Sequence, residues 1–258
     1  MTLSIRNLSK AYGGLKVVDD VSLDVAVSGL TGIIGPNGAG KSTLFSLITG
    51  FIEADGGSVS FQGQPLDRLK PDQRARAGMV RTFQVPREFA RLSVRENLAT
   101  AWPGQTGENL LGLFLTPARV RAEEERLAAE VDRTIAFLRL GPVADLPAGQ
   151  LSGGQKKLVE LGRALMTGAR LILLDEPFAG VNPVLIEELS ARISDLNAQG
   201  KGFLIIEHDL GALSRLVETL HVVDRGRLIA SGPPATVLAA DVVREAYLGG
   251  AAGEGAAA

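Results

Sequence analysis

The chain has 258 residues, of which 45% are hydrophobic, so it can form one large domain or two small domains with a buried core. Its net charge of −2 gives no overall attraction to nucleic acid or to an anionic membrane. Cysteine is absent, which excludes disulfides, thiol nucleophiles and cysteine-ligated metals.

Strand and helix patterns alternate along the chain. Residues 18–25 have the spacing of a half-buried strand, and residues 58–63 and 79–83 are further strand candidates. The continuous apolar runs at 30–34, 171–174 and 203–206 are typical of central parallel strands that are covered on both faces. Residues 221–231 predict a hairpin that turns near Arg225 and Gly226, and His221 within it is interpreted as structural. These patterns predict an α/β fold with a mainly parallel sheet.

Between residues 91 and 168 the pattern changes to helix. Apolar residues recur at spacings of 3, 4 and 7 from Val120 to Leu138, and Gly141 can end this helix. A second helix is predicted to begin at Asn182 and Pro183 and to end at Gly200. The apolar run at 110–115 is far shorter than the roughly 20 residues that span a bilayer. The N-terminal residues do not predict a signal peptide, so any membrane role is expected to depend on partner chains.

A phosphate-binding loop is predicted directly after the strand at 30–34. Residues 35–42 read GPNGAGKS and fit the pattern G-x-x-x-x-G-K-[ST]. Glycines allow a tight loop with exposed backbone N–H groups, Lys41 supplies a cation for the outer phosphates, and the Ser42 hydroxyl can ligate Mg²⁺. The helix that follows would direct its positive N-terminal end at the same phosphates.

Two acidic residues, Asp175 and Glu176, end the apolar strand at 171–174. Phosphoryl transfer needs such a pair beside a phosphate loop, because Asp175 can hold the Mg²⁺ shell and Glu176 can orient or deprotonate the attacking water. Upstream, residues 151–155 read LSGGQ. Ser152 can cap the next helix, and the two glycines that follow let backbone amides approach an anion.

Together these motifs resemble the ATP-binding cassette (ABC) ATPase family over nearly the whole chain, from Leu3 to about Gly250. The resemblance implies a P-loop NTPase (RecA-like) core with an antiparallel β subdomain and an inserted helical subdomain. The expected divisions are residues 1–88 and 168–236 for the two parts of the core, 89–167 for the helical insertion, and 237–258 for a C-terminal helix and tail.

The family resemblance also implies a role for each site residue. Catalysis is expected from Glu176, His208 as the switch histidine, and Gln84, and Mg²⁺ is expected to bind Ser42, Gln84 and Asp175. The residues expected to bind ATP are Tyr12, Gly35, Asn37, Gly38, Ala39, Gly40, Lys41, Ser42 and Thr43, with Ser152, Gly153, Gly154 and Gln155 acting on the partner's nucleotide. Tyr12 is alternatively an ordinary edge-strand tyrosine. The segment at the position of the family's D-loop, residues 179–182, has Asn182 where the family has an acidic residue. An amide cannot make a charged contact, so the family's coupling role is not expected to carry over unchanged to this segment.

Three segments resemble ATPases of branched-chain amino-acid importers: RTFQ at 81–84, PFAGVNP at 177–183 and AYLG at 246–249. Urea or amide importers and the lipopolysaccharide-export ATPase share parts of this pattern. The implied partners are a second cassette, identical or related, in a head-to-tail dimer, transmembrane permease subunits and, indirectly, a solute-binding protein, without nucleic acid. The implied location is the cytoplasmic face of the cell membrane. A soluble cassette, as in cluster assembly, is the alternative class.

One surface is predicted to dock the permease. Phe89 and Leu92 are apolar residues among Arg87, Glu88 and Arg91, and an apolar centre with a charged rim is typical of a docking surface. The alternative is that Phe89 and Leu92 hold the helical insertion on the core.

Overall fold

The computed structural model describes residues 1–82, 88–105 and 116–251, with the backbone alone at 248–251. Its described residues form two compact units. The first unit comprises Met1–Gln84, Arg170–Ala179 and Ile186–Ala258, and the second comprises Val85–Ala169 and Gly180–Leu185. The described helices are α1 (Lys41–Thr49), α2 (Pro71–Arg76), α3 (Val94–Ala99), α4 (Pro117–Phe137), α5 (Gly153–Met166), α6 (Pro183–Ala198), α7 (Leu210–Leu216), α8 (Pro234–Ala239) and α9 (Asp241–Ala251). The strands are β1 (Thr2–Tyr12), β2 (Leu15–Ala26), β3 (Leu30–Ile34), β4 (Gly56–Phe61), β5 (Gln64–Pro65), β6 (Met79–Arg81), β7 (Leu171–Asp175), β8 (Gly202–Ile206), β9 (Thr219–Asp224) and β10 (Arg227–Gly232).

The first unit contains a six-stranded sheet in the order β10-β9-β3-β8-β7-β6. All neighbouring pairs are parallel except β9 and β10, which form the predicted hairpin. Every residue of β3, β7 and β8 is buried, which confirms the interpretation of their continuous apolar runs as central strands. The carboxyl ends of these three strands meet at one edge of the sheet, where α/β proteins bind ligands.

A second, antiparallel sheet in the same unit has the order β2-β1-β4-β5. Its apolar residues form one core with helix α1 and the parallel sheet. In that core Ile5 of β1, Phe45 and Ile48 of α1, Leu173 of β7 and Ile206 of β8 are all fully buried. Helix α1 therefore packs against both sheets. This packing fixes the position of the phosphate-binding loop at the N-terminus of the helix. This α/β architecture confirms the predicted fold class.

The second unit is built mainly from helices α3, α4 and α5. Gly162 of α5 lets the helices approach closely, because an added Cβ would lie 2.6 Å from a Leu98 methyl and 2.9 Å from a Leu138 methyl. Asn97 of α3 is fully buried, and its amide bonds the backbone of the segment before the helix. Among the described helices, none is long and apolar enough to cross a membrane.

Candidate active site

The phosphate-binding loop leaves the carboxyl end of β3 and enters helix α1 at Lys41. Gly40 has φ +95°, and an added Cβ would collide with the backbone carbonyl of Val17 in β2. Gly38 has φ +77° with no atom within 4 Å of where a Cβ would stand. The first of these glycines therefore seats the loop against the neighbouring strand, and the second presents open backbone to a ligand.

The Lys41 side chain bonds to its own loop. Its ammonium donates to the carbonyl oxygens of Gly35, at 2.7 Å, and Pro36, at 2.9 Å. Burial lowers the pKa of Lys41, while the nearby carboxylates of Glu176 and Asp175 act in the opposite direction. The cation is thus held beside the loop by weak carbonyl partners that phosphate oxygens can replace.

An open cavity of about 240 Å³ lies against the loop. Its lining consists of Val17, Asn37, Gly38, Ala39, Gly40, Lys41, Ser42, Thr43, Glu176 and His208. The structure therefore brings the predicted loop residues 37–43, the predicted base and the predicted switch histidine to one cavity, which Gly35 does not line. Donors from a helix N-terminus and a lysine on one wall, with a carboxylate and an imidazole on another, suit a polyphosphate with a reactive end.

Glu176 and His208 contact each other directly. The Nε2 atom of His208 lies 2.6 Å from Oε1 of Glu176. Glu176 has φ +51°, an uncommon conformation for a residue with a side chain, and its N–H donates to the carbonyl of Ile206 at 2.9 Å. Backbone strain of this kind often occurs at functional sites, and here it directs an 8% exposed carboxylate toward the cavity.

Asp175 is paired with Arg81. The Nη2 atom of Arg81 donates to Oδ2 of Asp175 at 2.6 Å, and its Nη1 atom donates to the Ser46 hydroxyl at 2.9 Å. The two side chains of the ion pair are 9% and 5% exposed. Arg81 belongs to the RTFQ segment, but no sequence pattern indicates that its guanidinium pairs with the carboxylate at the end of β7.

The LSGGQ motif forms the start of helix α5 in the second unit. Ser152 caps the helix as predicted, since its hydroxyl accepts from the Gln155 N–H at 3.3 Å and Gln155 accepts from the Ser152 N–H at 2.9 Å. The Cα of Gly153 faces open space, whereas a Cβ on Gly154 would collide with the Leu185 side chain. Gly153 therefore has an open face, while a side chain at position 154 would require Leu185 to move.

The D-loop residue Asn182 has a structural use for its amide. Its Oδ1 atom accepts from the Leu185 N–H at 2.9 Å, which satisfies a free donor in the first turn of α6. Asparagine is among the best residues for this position. Asn182 therefore caps helix α6 even though it is not the acidic residue of the family.

Several site residues lie elsewhere or were missed. The Tyr12 ring is 49% exposed, does not line the cavity, and has the Lys10 ammonium 5.8 Å from its centroid. Gln84 lies outside the described residues.

Tyr247 of the AYLG segment contacts the phosphate loop. Burial raises the pKa of its hydroxyl to about 12, and a hydrogen bond with the Gly35 backbone opposes that rise. Its only signal in the sequence was the motif itself.

The fold and the cavity define a P-loop nucleotide-hydrolysing protein. The family model described as ABC transporter matches residues 18–179. A probable branched-chain amino acid transport ATP-binding protein LivG from Archaeoglobus fulgidus is 39% identical over 247 residues, covering 96% of this chain and 95% of the relative. The high-affinity LivG of Salmonella typhimurium is 37% identical and covers 96% of this chain and 97% of its own.

A solved structure agrees with these relatives. The crystal structure of the ADP conformation of an ATP-binding cassette of an ABC transporter has a TM-score of 0.82 and 39% identity, covering 96% of this chain and 99% of that chain. This chain belongs to the ABC transporter family, and it is an ATPase.

Proposed function

We propose that the cavity binds ATP and that Glu176 and His208 cleave it. The observation that carries this proposal is the 2.6 Å contact between these two side chains on the wall of the phosphate-loop cavity. Glu176 accepts a proton from the attacking water as the water oxygen bonds to the γ-phosphorus, and the bond between the γ-phosphorus and the bridging oxygen breaks, so that this oxygen leaves as part of ADP and phosphate is formed. His208 orients the Glu176 carboxylate and donates to the developing negative charge, and Lys41 stabilises the outer phosphates.

The donors near Lys41 fit a magnesium ion. Ser42 lines the cavity, the buried Asp175 carboxylate ends strand β7 at the same edge of the sheet, and oxygen ligands of these two kinds suit Mg²⁺. Ser42, Asp175 and Gln84 would hold the ion, which would neutralise phosphate charge when bound.

Two variants test these roles. Glu176→Gln should keep ATP bound and lower turnover by about 10²–10⁴, the usual effect of losing a general base. Lys41→Ala should instead abolish ATP binding, because the phosphate charge is then poorly compensated. Normal turnover in the first variant would reject Glu176 as the base, and normal affinity in the second would reject the phosphate-loop assignment.

We propose further that Ser152 and Gly153 contact the nucleotide of a partner cassette in a head-to-tail dimer. The open face of Gly153 at a helix N-terminus supports this proposal. Ser152→Arg should block hydrolysis while each chain still binds ATP. Mixed with Lys41→Ala chains, it should give dimers with one intact site, because both lesions fall on the other site. Failure of these mixed dimers to hydrolyse ATP would contradict the trans assignment.

The cassette is proposed to power import of branched-chain amino acids through separate permease subunits at the cytoplasmic face of the membrane, with a solute-binding protein delivering the solute. The names of the two LivG relatives support this assignment. The test is uptake of radiolabelled leucine, and of urea in parallel, by vesicles carrying the assembled transporter, with Glu176→Gln as the inactive control. Urea uptake without leucine uptake would favour a urea importer, and failure to copurify with any multi-span protein would favour a soluble cassette.

Phe89 is the proposed centre of the permease docking surface. It is 49% exposed, and the Arg163 guanidinium lies 5.0 Å from its ring centroid. The Glu88 carboxylate is instead paired with the Lys156 ammonium at 2.7 Å. Glu88 therefore helps to hold this surface in place and is not a free charge at its edge. Asn97 holds the Phe89 backbone by accepting from its N–H at 2.8 Å and donating to its carbonyl at 3.1 Å. These bonds hold the Phe89 backbone independently of its side chain, which supports the docking role.

Phe89→Ala should leave the ATPase activity of the isolated chain near normal but weaken assembly with the permease and uncouple transport. Leu146→Ala is a matched control, because Leu146 is an apolar residue of the same unit with a similar exposure of 43%. A marked fall in melting temperature with intact assembly would show that Phe89 serves the core instead.

A further inference from the structure

Glu207 is a buried carboxylate that the proposed mechanism does not use. It directly precedes His208 and is 2% exposed. Burying a carboxylate is costly unless hydrogen bonds compensate the charge. Burial raises the pKa of Glu207, and backbone N–H groups of Phe178, His208 and Asp209 oppose that rise.

The bonds of Glu207 join two separate segments. Its Oε1 atom accepts from the Phe178 N–H at 2.5 Å, and its Oε2 atom accepts from the His208 N–H at 3.0 Å. Phe178 lies two residues after Glu176 and is 3% exposed. One oxygen thus holds the segment that carries Glu176, and the other holds the segment that carries His208.

We propose that Glu207 is a positioning residue that sets the separation between the Glu176 carboxylate and the His208 imidazole. This inference rests on the proposed roles of those two side chains. The chemistry requires a carboxylate, because both of its oxygens accept hydrogen bonds. A glutamine offers one acceptor and one NH₂ donor, so one of the two backbone N–H groups would face another donor. The catalytic pair would then move relative to the loop that holds the phosphates.

Glu207→Gln is therefore the informative variant. A misplacement of about 1 Å at a reacting centre can lower a rate by roughly 10². We expect kcat to fall by about 10- to 100-fold on this ground, with the affinity for ATP within about twofold of the parent because Lys41 and its loop are unchanged. Val59→Ala, a buried change in strand β4, serves as the control for a general loss of stability, and its kcat per folded chain should not change.

A combined variant distinguishes positioning from a structural role. If Glu207 acts only through the pair, adding Glu207→Gln to a chain that carries both Glu176→Gln and His208→Ala should lower kcat no further, because residues that act as a unit are not additive. A further loss of 10-fold or more in this combined variant would overturn the inference. So would an unchanged kcat in Glu207→Gln alone, or an equal loss of kcat in Val59→Ala.

These measurements distinguish failure of the proposed base, Glu176, from failure of the positioning role of Glu207. Normal turnover in Glu176→Gln would reject the proposed base itself, whereas low turnover there with normal turnover in Glu207→Gln would reject only the positioning role. If Glu207→Gln does not fold, Glu207→Asp replaces it, since its carboxylate keeps two acceptors but is one methylene too short to reach both segments. A kcat within twofold of the parent in that variant would also overturn the inference.

Discussion

Replacing Arg81 by methionine removes one partner of the buried ion pair with Asp175. The two atoms lie 2.6 Å apart in side chains that are 9% and 5% exposed, so solvent screens them little. Removing one partner of a buried pair typically costs about 3–5 kcal/mol, because the other charge stays buried without compensation. The Lys41 ammonium also interacts with Asp175, which places the expected loss near the lower end, at about 3 kcal/mol.

The assay is thermal unfolding of the nucleotide-free chain followed by circular dichroism. For a chain of this size about 1 kcal/mol corresponds to roughly 2–4 °C, so Arg81→Met should melt roughly 6–12 °C lower than the parent. Arg81→Lys should lose less, because lysine keeps the charge but cannot bond Ser46 and Asp175 at once. Adding Asp175→Asn to Arg81→Met should restore stability, because no uncompensated carboxylate then remains. A melting point for Arg81→Met within about 1 °C of the parent, or a double variant as unstable as the sum of its parts, would refute this reasoning.

Gly154→Ala should cost about 1–3 kcal/mol by forcing its methyl into Leu185, whereas Gly153→Ala should be neutral or stabilising because its site is open; thermal unfolding compares the two. His221 is 3% exposed and burial lowers its pKa, so the unfolded chain binds a proton below about pH 6.5 that the folded chain excludes. Stability should therefore fall as the pH drops from about 7 to 5.5, and His221→Leu should reduce that fall; equal slopes in melting temperature against pH would contradict this. Asn97→Ala should cost about 1–3 kcal/mol, because it leaves the Phe89 N–H without its acceptor and removes one of the bonds to the Phe89, Leu92 and Ser93 carbonyls, and amide exchange should rise at Phe89 first; unchanged exchange would count against the role of Asn97.

The sequence predicted the central strands because complete burial leaves a local trace. Residues 171–174 and 203–206 are apolar throughout, residues 30–34 have one polar side chain, that of Thr31, and all three runs are buried strands in the structure. The order of the strands left no such trace. Strand β3 lies between β8 and β9, which come more than 165 residues later, and only the folded chain shows this arrangement.

Prediction of the site has the same limit: local patterns in the sequence are informative, but contacts between distant side chains are not visible in it. The phosphate loop was predictable because its glycines, lysine and serine are consecutive. Arg81 and Asp175 are 94 residues apart, so nothing local indicates that their side chains meet. Gly154 shows a different limit: anion approach explains both glycines of the motif equally well, and only the structure shows that a Cβ at position 154 would meet the Leu185 side chain.

Each charged group of the site has a partner within this chain. Lys41 bonds two loop carbonyls, Asp175 bonds Arg81, and Glu176 bonds His208. These bonds compensate buried charge in the nucleotide-free chain, which keeps the side chains ordered at the cavity. A ligand that reaches only one group must break an existing bond for each bond it forms, so its net gain is small. A triphosphate with a bound cation would replace the partners of Lys41 and Asp175 at once, so we expect the complete nucleotide to bind more tightly than its fragments.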